Sequence, residues 1–101
     1  MISHFIAAAE TELYEAAEWY ERQSRGLGVE FLAEVDRARE LLESLPMAWP
    51  KISRNIRRCR LSRFPYGLLF HYQTGASEIL IIAVMHLHRD PDYWQDRVNE
   101  D

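Results

Sequence analysis

Two periodicities divide the chain near its middle. In the first half, Leu13, Ala16, Ala17 and Tyr20 recur at three- and four-residue spacing. Glu10, Glu12, Glu15, Glu18 and Glu21 fall mostly on other faces, which is the pattern of an amphipathic helix. Gly26-Leu27-Gly28 breaks that pattern, because glycine readily takes the left-handed conformation that ends a helix. A second apolar stripe, Phe31, Val35, Ala38, Leu42 and Leu45, predicts a second helix, and Pro46 stops it. Two such helices joined by so short a turn pack antiparallel. A short apolar stretch before them, residues 2–6, reads as a strand.

After Pro46 the pattern changes. Residues 56–61, 67–72 and 79–86 are rich in branched and aromatic side chains and read as three strands, with turns at residues 62–66 and 74–77. Connections this short join antiparallel neighbours, since a parallel crossover needs roughly a dozen residues or more. The run from Ile79 to Met85 is apolar on both faces, which places it near the middle of the sheet. Asp90-Pro91 has the form of a helix start, with Asp as cap and Pro at the first helical position. Residues 92–98 would then form a short final helix whose Tyr93, Trp94 and Val98 fold back onto the body. The expected architecture is α+β: an N-terminal strand, a helical hairpin, a three-stranded antiparallel meander and a short C-terminal helix. Residues 1–101 read as a single domain.

Composition narrows the functional classes. With 48% hydrophobic and 28% charged residues the chain has the make-up of a globular domain. Cys59 is the one cysteine, so no internal disulfide is possible and a reducing compartment is expected. The four histidines and that cysteine lack clustered ligand spacing, so neither a metal nor another cofactor is expected. The opening residues have no basic start and too short an apolar stretch for a signal peptide. No stretch approaches the roughly 18 apolar residues of a membrane span. The expected location is the cytoplasm, away from membranes.

The net charge of -4 conceals an asymmetry. Residues 1–50 carry four arginines against ten carboxylates, whereas residues 51–101 carry eight Lys and Arg against six. Lys51, Arg54, Arg57, Arg58, Arg60 and Arg63 fall within thirteen positions that contain no acid. Such a block favours anionic partners.

Several segments, in this order, resemble the RelE/ParE toxin superfamily, especially its ParE-like plasmid-stabilisation members. They are Ala17-Glu18-Trp19-Tyr20-Glu21, then Leu27-Gly28 with Phe31 and Glu34, and Pro46, Pro50 and Ile56-Arg57. Leu61-Ser62-Arg63-Phe64-Pro65-Tyr66 follows, and Ile82-Ala83-Val84-Met85-His86 with Arg89, Pro91, Tyr93 and Trp94 completes the set. The resemblance covers almost the whole chain. It implies the toxin of a two-gene type II toxin–antitoxin module, neutralised by a cognate antitoxin. It also implies one of two targets: DNA gyrase, inhibited by binding, or messenger RNA, cleaved on the ribosome.

Metal-independent RNA cleavage needs a base for the 2′-hydroxyl, cations for the pentavalent phosphate and an acid for the leaving oxygen. The residues available are Arg58, Arg60, Arg63, His71, His86, His88, Arg89 and Tyr93. His86 is the best acid or base because imidazole titrates near neutrality. Arg58 and Arg60 alternate onto one strand face, where two guanidinium groups clamp a phosphate. With Arg89 they form the candidate catalytic set. Against it, no glutamate lies between Glu43 and Glu78, so the basic strand lacks a carboxylate base. Cys59 lies between two arginines but has no partnered base nearby. The acidic helices exclude direct sequence-specific DNA binding by this chain. The residue pattern therefore favours protein binding, with Arg54, Arg57, Arg58, Arg60, Arg63 and Arg89 as the partner-binding set and Trp19, Leu32 and Trp49 as candidate apolar anchors. The alternatives are the ribosome-dependent endoribonuclease and a degenerate member that still binds its antitoxin without toxicity.

Overall fold

The strand at Ile2–Phe5 (β1) runs straight into the first helix, Ala7–Gln23 (α1). Residues 1–98 are described by the computed structural model. Gly26, at φ 87°, turns the chain into the second helix, Leu27–Ser44 (α2). Only glycine takes that left-handed conformation without a steric cost. Glu21 secures the turn from the preceding helix, its two carboxylate oxygens accepting the Gly26 and Gly28 N–H groups at 2.8 and 3.0 Å. A carboxylate there satisfies amides left free at a helix start and complements the positive end of the dipole. Gly28 has a different task, since a Cβ on it would lie 2.4 Å from the Ala17 carbonyl oxygen. The absence of a side chain lets α1 and α2 meet at this point.

A 3-10 turn at Pro46–Ala48 leads to the meander: β2 (Ile56–Arg60), β3 (Tyr66–His71) and β4 (Glu78–His86). The sheet order is β1-β4-β3-β2, with β4 in the interior as its two-sided apolar run predicts. The meander pairs antiparallel, and β1 pairs parallel with the start of β4, Ile2 opposite Glu78 and Phe5 opposite Ile81. The helical hairpin covers one face of the sheet. Leu13, Ala16, Phe31, Val35 and Leu42 pack there against Leu68, Phe70, Ile79 and Ile81. Tyr20, Phe31, Phe64 and Tyr66 form an aromatic cluster at one end, with Tyr20 and Phe64 centroids 4.8 Å apart. On the opposite face Ile56, Leu69, Ile82, Ala83 and Met85 are closed over by Trp94 from the tail.

Three expectations need correction. Leu45 is 64% exposed rather than part of the buried stripe. As the cap of α2, at φ -137°, it has left the helical register. The final helix is instead a series of turns ending in a 3-10 turn, Gln95–Arg97. Asp90 does accept the Asp92 N–H at 3.0 Å, and the Trp94 indole donates to the Pro91 carbonyl at 2.6 Å. These two bonds shape the segment from which Trp94 inserts, at 3% exposure, against the sheet. Finally, Glu12 is not on the solvent face of α1. Its side chain is 11% exposed and accepts the Val84 N–H at 3.0 Å.

Among the described residues, no helix is long and apolar enough to cross a membrane, and no three His, Cys, Asp or Glu residues group to hold a metal ion.

Candidate functional site

The register of β2, β3 and β4 sorts the chemistry-bearing residues between two faces. Arg60 pairs with Gly67, which pairs with Met85. Tyr66 pairs with His86. Side chains of successive residues alternate across a sheet, so Arg58 and Arg60 lie on the face away from the helices, whereas His86 lies on the face toward them. Contacts agree with that assignment. Arg58 lies over Gly67, where a Cβ would sit 3.1 Å from its Cγ, and Met85 packs beneath Trp94. His86 stands edge-on to Tyr66, with centroids 5.1 Å apart, and its Nδ1 accepts the His88 N–H at 3.1 Å. The proposed acid–base residue and the two proposed phosphate clamps are therefore not brought together.

The six partner-binding arginines also separate. Arg57 is 9% exposed and serves the fold, donating to the Trp49 carbonyl at 2.6 Å and to the Met47 Sδ at 3.6 Å. It is not available to a partner, because its position on the helix side of an edge strand buries it under the 46–50 segment. Arg63 is paired with Glu30 at 2.6 Å, and that hydrogen bond holds its guanidinium above the usual range. Arg89 lies 3.6 Å from Glu12 and 3.7 Å above the Tyr93 ring. Among the described residues Arg54, Arg58 and Arg60 make no ion pair with an acid. Arg54 and Arg60 are exposed, whereas Arg58 is half-buried with its Nε shielded from solvent on the face away from the helices.

His86 and Arg89 instead line a cleft of about 210 Å³ between α1 and the end of β4, together with Glu12, Glu15, Trp19 and Tyr66. Behind it, Arg97 reaches from the tail past the end of β1. Its Nη1 and Nη2 meet the two Glu12 oxygens at 2.9 and 3.0 Å, and Nη1 also donates to the Ile82 carbonyl at 3.0 Å. Burial first, then the Glu12 carboxylate, hold the Tyr93 phenol above its ordinary range. Tyr93 and Trp94 thus anchor the tail. Cys59 is buried in the core, and desolvation pushes its thiol up to about 11, so it is no nucleophile at neutral pH.

Of the apolar anchors read from the sequence, Trp19 is 51% exposed on the outer side of α1, while Leu32 and Trp49 pack partly against the core. The structural roles of Glu12, Arg97 and Glu34 do not follow from the residue pattern, although Glu34 lies in one of the segments that carry the family resemblance. Glu34 is buried and accepts the Arg63 N–H at 2.8 Å. A signal did exist for Glu12: it lies three residues after Ala9 and four before Ala16, on the apolar stripe itself.

Residues 5–91 match the family model described as ParE toxin of type II toxin-antitoxin system, parDE. Among solved structures, the chain is similar to one from "Chromosomal ParDE TA system from P. aeruginosa". That likeness has a TM-score of 0.60 at 17% identity and covers 86% of this chain and 95% of the other. No curated protein matches the sequence.

Proposed function

Because the chain belongs to the ParE toxin family of type II toxin–antitoxin systems, we propose that it is a cytoplasmic toxin restrained by a cognate antitoxin, and that it acts by binding DNA gyrase. The observation that carries binding over cleavage is the split between the two sheet faces. His86 faces α1, whereas Arg58 and Arg60 project from the opposite face. A phosphodiester held by Arg58 and Arg60 would have the sheet between it and that imidazole. What remains on the arginine face is an unpaired cationic surface, and such surfaces speed and orient association with acidic protein partners.

Two measurements test the reading. The product of the adjacent reading frame, co-expressed with this chain, should co-purify with it and relieve growth arrest caused by the chain alone. Purified chain should inhibit gyrase in a supercoiling assay. No co-purification removes the antitoxin assignment, and unimpaired supercoiling at large molar excess of folded chain removes gyrase. If messenger RNA ends mapped on translating ribosomes changed instead, and His86→Ala abolished the change, the endoribonuclease reading would replace it.

A further inference from the structure

Positions 12, 15, 16 and 19 share one face of α1, because residues three and four apart are neighbours on a helix. That face forms one wall of the cleft that also holds His86 and Arg89, and the end of β4 forms the other. Ala16 and Val84, 6% and 2% exposed, give it a small apolar floor. Trp19 on one side, with Tyr66 and His86 set edge to face on the other, gives it aromatic walls.

Three polar groups on this cleft have capacity to spare. The Glu15 carboxylate makes no hydrogen bond or ion pair among the described residues. His86 Nδ1 accepts the His88 N–H at 3.1 Å, so the neutral ring carries its proton on Nε2 and keeps a free donor there. The Arg89 guanidinium stands 3.6 Å from Glu12, longer than a hydrogen bond, and its N–H groups are unspent. Glu12 itself is fully engaged by Arg97 and the Val84 N–H. Size and charge then limit the occupant. A cleft of about 210 Å³ is below the roughly 300 Å³ at which pockets for drug-sized ligands begin, and suits one flat ring system. With five glutamates against one arginine, α1 repels a long polyanion, whereas the single cation Arg89 suits one phosphate group.

We propose that this cleft binds a guanine mononucleotide, with guanosine monophosphate as the simplest form. Guanine carries two adjacent donors, N1–H and N2–H, which the two oxygens of a carboxylate such as Glu15 accept together. Beside them lies the O6 acceptor, which the His86 Nε2–H satisfies. Adenine has a lone pair at N1 where guanine has a proton, and that lone pair repels the carboxylate. Trp19, one turn from Glu15 and 51% exposed, supplies a face for the base to stack on. Arg89 holds the phosphate. The site goes beyond the toxin reading and does not compete with it, since Arg58 and Arg60 project from the other face of the sheet.

Isothermal titration calorimetry of the full-length chain with guanosine monophosphate is the test. One molecule should bind per chain, and adenosine monophosphate should bind about tenfold or more weakly. Glu15→Gln, at an exposed position, should leave the melting temperature unchanged. It should weaken guanosine monophosphate by about tenfold and abolish the preference for guanine, because an amide also pairs with adenine. Trp19→Ala should weaken both nucleotides alike, by about fivefold or more. No binding at saturating nucleotide, equal affinity for the two bases, a Glu15→Gln chain that keeps its preference, or a Trp19→Ala chain that binds as before would each overturn the proposal. Tighter binding of a guanine-containing oligonucleotide would overturn it too, by assigning the base to a nucleic-acid strand. The supercoiling and co-purification assays use other surfaces of the chain, so failure there is separable from failure here.

Discussion

Glu12 and Arg97, 85 residues apart, meet through two parallel hydrogen bonds of 2.9 and 3.0 Å, and each also satisfies a backbone group of β4. The pair does more than join α1 to the tail. It occupies a stretch of β4 left bare because β1 is only four residues long.

Breaking the pair from one side strands the other charge. With side chains 11% and 18% exposed, Glu12→Ala should cost about 3 kcal/mol, near the lower end for a partner removed from a buried pair. Arg97→Ala should cost less, because it leaves Glu12 in contact with Arg89. Urea unfolding monitored by circular dichroism gives both values, and tryptophan emission from Trp94 should shift to the red in each variant.

Gly28→Ala should destabilise the hairpin by about 1–3 kcal/mol, as overpacking does in a rigid contact. The clash is with the Ala17 backbone carbonyl at 2.4 Å, which no rotamer change relieves. Gly75→Ala is a useful contrast: nothing lies within 4 Å of a Cβ there, so its cost comes only from the φ of 90°. Thermal melts of the two variants separate crowding from backbone strain.

The arginines of the basic block should divide into two classes. Arg57→Ala removes hydrogen bonds from a buried cation to the 46–50 segment and should cost about 2 kcal/mol. Arg60→Ala should change stability by less than about 0.5 kcal/mol. Association with the proposed antitoxin should respond in the opposite sense: the Arg54, Arg58 and Arg60 alanine variants should each slow the on-rate, with a shallower salt dependence. Surface plasmon resonance at two ionic strengths reads that difference.

Alkaline pH should loosen the core through Cys59. Its thiol rises from 9.0 to about 11 on burial, so the folded state holds the proton more tightly than the unfolded chain. That contribution, on the order of 2 kcal/mol, is complete below about pH 9 and is lost as pH rises through about 11. The half-buried Tyr20, Tyr66 and Tyr93 shift in the same direction and extend the loss to higher pH. Cys59→Ala should flatten the decline in urea midpoint between about pH 9 and about pH 10. In the native chain a thiol reagent should react only as fast as the core opens.

The sequence carried the order of elements and both apolar faces plainly, because helical and strand periods are local properties of Leu13–Tyr20 and of Ile79–Met85. What it did not carry are relations across distance. The parallel partner of β1 depends on a four-residue strand with no pattern of its own. The burial of Arg57 depends on the 46–50 segment folding over it. The split between His86 and Arg60 depends on a register in which Gly67 faces one and Tyr66 the other, with a bulge between Leu69 and Phe70. Arg54, Arg58 and Arg60 were legible as a basic surface since nearby acids are missing. Arg63 was not separable from them, because its partner Glu30 lies 33 residues earlier.

The parallel pairing of β1 with β4 also sets an order of events during synthesis. Ile2–Phe5 emerges from the ribosome well before its hydrogen-bonding partner, residues 78–81, and the Glu12 clamp waits longer still, for residue 97. A chain released early therefore exposes the bare flank of β4 and the underside of the sheet. Chains that stop short of residue 97 should therefore be cleaved by proteases more readily than the 101-residue chain.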